Sequence, residues 1–140
     1  MSTSVPEAES RHQVIAAFAR EALGCGCPAE VFNQIQESAL DLPGLPGPAQ
    51  RFAIGGRLLV YLVAPADPEV ALANLAAWVA MGLAERDTQG MNRLRLAIAS
   101  DDPEALSARL RARFEALPGV DGRLHLHVLP AGAVVGLSRT

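Results

Sequence analysis

Leu58-Leu59-Val60-Tyr61-Leu62-Val63-Ala64-Pro65-Ala66-Asp67-Pro68-Glu69 is an apolar run that ends in a short turn, an Asp, a Pro and a Glu. The pattern returns at Ala97-Ile98-Ala99-Ser100-Asp101-Asp102-Pro103-Glu104. In both copies the Asp suits an N-cap, where its carboxylate can accept from a free backbone N–H. The Pro suits the first helical position, where a missing N–H costs nothing. Each copy therefore reads as a strand followed by a helix, with the caps about one strand–helix unit apart. A run such as Leu58–Val63, apolar at every position, fits a strand covered on both faces.

Working outward from this pair, the pattern predicts helices over Glu69–Arg86 and Pro103–Leu117. The second carries a core stripe of Leu106, Leu110, Phe114 and Leu117. Strands are expected at Met91–Ala99 and Arg123–Leu129, with an extra edge strand at Ala133–Leu137. The simplest topology is β-α-β-α-β with right-handed crossovers, in which Leu58–Val63, Leu94–Ala99 and Leu124–Leu129 run parallel. Arg51–Pro65 holds two apolar runs around Gly55-Gly56, a hairpin signal.

Towards the N-terminus, Val14, Ile15, Phe18 and Ala22 share one side of a helix over Arg11–Leu23, and Met1–Ser10 reads as a flexible tail. Pro28 reads as the start of a second helix, with Glu30 in its first turn and Val31, Phe32, Ile35 and Leu40 as its apolar positions. Asp41–Ala49 holds three prolines and two glycines, which forbid regular structure. The expected fold is thus one small α/β domain of two or three layers over residues 11–140. It comprises a helical pair at 11–40, a Pro/Gly loop at 41–49 and a mainly parallel sheet-forming part at 50–140.

At 140 residues the chain is long enough for one domain with its own core. Half of the residues are hydrophobic and 19% are charged, as in ordinary globular proteins. A formal net charge of −3 argues against a nucleic-acid partner, whose phosphates call for a basic surface. All 12 basic residues are arginine, the usage expected of a GC-rich bacterial genome. The polar start has no basic-then-apolar signal pattern. The longest apolar stretch, Val70–Ala84, contains Asn74 and is too short to span a bilayer. A cytoplasmic protein with no membrane partner is expected. Because Val70–Ala84 is apolar nearly all round, it is either deeply buried or a surface for a homodimer or a protein partner.

Chemistry is harder to read. No P-loop, G-x-S-x-G or H-E-x-x-H pattern occurs. Asp67 and Asp102 place negative charge at two helix N-termini where a phosphate would otherwise bind. The feature above background is Gly24-Cys25-Gly26-Cys27-Pro28. Cys27 holds the N-cap place of the expected Pro28 helix, where the helix dipole favours a thiolate. Cys25 and Cys27 are thus candidates for thiol redox chemistry, or for holding a metal ion or iron-sulfur cluster. His125 and His127 flank Leu126, so both rings leave one face of a strand; with the two cysteines they would complete a tetrahedral metal shell. Arg86, Asn92 and Arg93, with Arg95, form a second candidate group, for an anion or a partner. The alternative to a thiol protein is a non-catalytic interaction module. No acid–base or nucleophile–base grouping points to an ordinary enzyme.

Overall fold

The computed structural model describes residues 7–24, 33–65 and 67–137. Among them are helix α1 (Glu7–Glu21), strands β1 (Ile35–Leu40), β2 (Ala49–Ile54) and β3 (Leu58–Val63), helix α2 (Pro68–Thr88), strand β4 (Arg93–Ser100), helix α3 (Pro103–Glu115), strand β5 (Leu124–Pro130) and a 3-10 helix (Ala131–Leu137). The five strands form one mixed sheet in the order β1-β2-β3-β4-β5. β1, β2 and β3 pair antiparallel, whereas β3, β4 and β5 pair parallel, with Leu59 opposite Leu94 and Leu96 opposite Leu126. The repeated Asp-Pro units behave alike. Asp67 accepts from the Glu69 N–H at 2.9 Å, and Asp102 from the Ala105 N–H at 3.3 Å.

All six residues of β3 are buried, because each face of the sheet is covered. On one face α2 and α3 pack Leu72, Leu75, Trp78, Leu106, Leu110 and Phe114 over Leu59, Tyr61, Leu94, Leu96 and Leu126. On the other, Ile15, Phe18 and Ala19 of α1, with Leu23 just beyond it, join Val134 and Leu137 over Phe52, Ile54, Val60, Leu62 and Ala97. α2 is apolar almost all round for two reasons. Its inner face is buried, and its outer face presents the alanines 73, 76, 80 and 84 with the partly exposed Met81. No described helix is long and apolar enough to cross a membrane.

Three expectations need correction. The described part of the expected second helix is strand β1, paired residue for residue from Ile35↔Ile54 to Leu40↔Ala49. Gln36, Glu37 and Ser38 resemble the polar side of a helix, but here they lie on an edge strand with little to bury. Pairing across the Pro/Gly loop overrides the local pattern. Second, Ala133–Leu137 is not an edge strand. It belongs to the 3-10 helix, whose three-residue repeat puts Val134 and Leu137 together in the core beside α1. Third, α1 begins at Glu7, inside the expected tail. The Gly55-Gly56 hairpin signal corresponds to the β2–β3 turn, where both glycines have positive φ, 61° and 66°.

α2 lies close against the sheet at Gly82. A Cβ there would stand 2.5 Å from Leu94 Cδ2 and 3.3 Å from Tyr61 Cε2, both in fully buried side chains. Beside this contact the Tyr61 hydroxyl donates to Glu85 Oε1 at 2.5 Å, and Arg51 Nε donates to Glu85 Oε2 at 2.6 Å. Burial, the bond to Glu85 and its charge hold the phenol well above its usual range. Gly82→Ala should therefore destabilise the protein by about 1–3 kcal/mol through overpacking, although alanine is the better helix former by ~1 kcal/mol. Urea unfolding of the variant measures which effect prevails.

Candidate functional site: an arginine–histidine ladder beside the end of α1

The face of the sheet under α1 is apolar only in part. Alternation along β4 puts Arg93 and Arg95 on the same face as Ala97 and Ala99, and alternation along β5 adds His125 and His127. In register, Arg95 is opposite His125, so the side chains meet on the diagonals. Arg93 Nη1 lies 2.8 Å from His125 Nε2, and Arg95 Nη1 lies 3.0 Å from His127 Nε2. A guanidinium can only donate, so each Nε2 must accept and each ring proton must sit on Nδ1. Both imidazoles are neutral in this arrangement.

The electrostatics agree. Burial pushes the His127 pKa down from 6.5 to about 4, helped by Arg95, His125 and Arg111. His125 is lowered by burial and by Arg95 and Arg93, with Asp121 acting in the opposite sense. Burial, and then Arg93, also lowers the Arg95 guanidinium.

Two carbonyls complete the ladder. Arg93 Nη1 donates to Gly122 O at 3.0 Å, and Arg95 Nη1 donates to Leu23 O at 2.7 Å. Leu23 lies just past α1, where a cation meets the negative end of the helix dipole and a carbonyl left without a helical partner. Gly24 follows with φ +69°, the left-handed conformation that ends helices. Cys25 comes next in the chain. Cys25 and Cys27 lie outside the described residues, as does the expected helix start at Pro28. Among the described residues no group of three or more His, Cys, Asp and Glu is placed to hold a metal ion.

The anion-contact candidates are separated. Arg86 is buried on the α2 side of the sheet; Nη1 and Nη2 grip Asp121 at 3.0 and 2.9 Å, and Nε donates to Asp87. The pairing holds the Asp121 carboxyl down near 2. Asn92 is exposed, and its carbonyl accepts from Arg123 Nη1. Arg93 and Arg95 belong to the ladder. The alternating Arg-Leu-Arg and His-Leu-His segments signal a shared face, but no sequence pattern announces the Leu23 carbonyl.

No protein-family model, curated protein or solved structure matches this chain.

Two cavities lie away from the ladder. A cleft of about 620 Å³ beneath the Pro/Gly loop is lined by Glu37, Ser38, Leu45, Pro48, Gln50 and Leu62. Its polar groups are engaged: Glu37 with Arg11, and Gln50 with the Leu137 carbonyl. A smaller one of about 240 Å³ lies past the ends of β3 and β4, between Ser100, Asp101, Asp102 and Arg109. Its acidic rim is unsuited to phosphate.

A stability profile against pH tests the ladder. His127 has a folded pKa near 4 against 6.5 unfolded, so between those values the unfolded chain binds more protons. Stability is therefore lost as pH falls from about 6.5 through 4. His127→Gln, which keeps an acceptor for Arg95 but cannot titrate, should flatten that part of the profile in thermal melts.

Proposed function

We propose that this chain is a thiol protein whose reactive groups are Cys25 and Cys27, served by the positive charge of the arginine–histidine ladder. The observation that carries this reading is the 2.7 Å bond from Arg95 Nη1 to the Leu23 carbonyl, two residues before Cys25 in the chain. It ties the root of the Cys-Gly-Cys segment to a guanidinium that meets no carboxylate among the described residues. A nearby cation favours thiolate over thiol and so raises the fraction able to act as a nucleophile.

The same geometry supports nucleophilic or redox thiol chemistry over a metal or iron-sulfur centre that uses His125 and His127. Each Nε2 lone pair already accepts from an arginine, and a metal ion at those rings would face two guanidinium charges. To bind a metal through Nε2, both diagonals would have to break.

Alkylation rates at neutral pH test the proposal. The wild-type cysteines should react faster than an unperturbed thiol, and Arg95→Gln should slow them severalfold while Arg57→Gln, on an exposed arginine, leaves them unchanged. Equal rates in wild type and Arg95→Gln would defeat the thiolate reading. Stoichiometric zinc or iron in anaerobic preparations, lost on His127→Gln, would favour the metal reading instead.

A further inference from the structure

Among the described residues, the buried and half-buried arginines fall into two groups by partner. Arg11, Arg51 and Arg86, all buried or half-buried, face the carboxylates of Glu37, Glu85 and Asp121. Arg93 and Arg95 are also half-buried, yet among the described residues they touch only carbonyls and imidazole nitrogens. In both, the hydrogen bonds use Nη1 alone. The Nε and Nη2 donors of each fork bond nothing described, and Arg95 Nε is buried without a partner. His125 and His127 add no negative charge, and Asp121, whose charge acts on His125, is already gripped by Arg86.

Two neighbouring half-buried guanidinium groups meet no carboxylate among the described residues, and the buried Arg95 Nε is left unfilled, a cost that an anion would recover. The Nε–Nη2 edge of a guanidinium is the planar fork that binds an oxyanion through two parallel hydrogen bonds. Arg93 and Arg95 stand two residues apart on one strand face, so the two guanidinium groups belong to one patch of the sheet. We infer that Arg93 and Arg95 form a binding site for a small oxyanion, of the phosphate class. The site stands on the arginines and does not depend on the reactivity of the cysteines. One competing source of negative charge is the chain's own Cys25 or Cys27 thiolate.

Inorganic phosphate is the probe. Thermal melts and calorimetric titration of the full chain should show saturable stabilisation by phosphate, beyond that of chloride at equal ionic strength. Arg93→Gln should weaken the affinity about tenfold or more, the loss expected for a charged hydrogen-bond pair. Arg93 holds no part of α1, so this variant tests the site even if Arg95→Gln fails to fold. The double variant Cys25→Ser/Cys27→Ser should bind phosphate as the wild type does. Absence of saturable binding, or equal binding by Arg93→Gln, would overturn the inference. Phosphate binding confined to the serine double variant would overturn it too, and would assign the two forks to the chain's own thiolates.

Discussion

The structure depends on β3, a strand with no solvent face. Leu58–Val63 can stay buried on both sides only if separate layers cover the sheet, and its backbone groups can be satisfied only by strands on either edge. The two strand–helix units supply one layer through α2 and α3, and β4 as the parallel neighbour. The N-terminal segment must supply the other. α1 and the 3-10 helix do so over β2, β3 and the far half of β4. Among the described residues no apolar cluster covers the near half of β4 or most of β5 on this face, and there the sequence places Arg93, Arg95, His125 and His127. The candidate site is the part of the second face that α1 does not reach.

Charge is organised by what each buried or half-buried arginine can find. Where a carboxylate is near, a fork–fork pair forms, as between Arg86 and Asp121, and an otherwise costly buried cation becomes part of the framework. Among the described residues Arg93 and Arg95 pair with no acid, and neutral imidazoles and carbonyls act as acceptors instead. Such acceptors satisfy some donors but leave the charge uncompensated. That difference separates an arginine which holds the fold from one which is free to hold something else.

The parallel half of the sheet was legible because its signals are local and repeated. An apolar run, an Asp cap and a Pro at the first helical position each have one physical meaning, and two copies agree. β1 was not legible: Ile35–Leu40 has too few apolar residues for a clear period, and its identity as a strand comes from pairing with Ala49–Ile54 beyond the loop. The 3-10 helix was misread because Ala133–Leu137 is short and apolar, a pattern that strand and helix share. Of the site, the shared face of His125 and His127 followed from their spacing. Their diagonal arginines and the bond to Leu23 depend on parallel register and on where α1 ends, which no local pattern encodes.

The most direct test of this account is the state of the two ladder imidazoles. Nitrogen-15 NMR of the ring nitrogens in the intact protein at neutral pH distinguishes imidazolium from either neutral tautomer. The arginine–histidine diagonals predict that His125 and His127 are both neutral, with the proton on Nδ1 and an accepting Nε2. A protonated ring at either position, or a proton on Nε2, would contradict the ladder and the charge balance drawn from it.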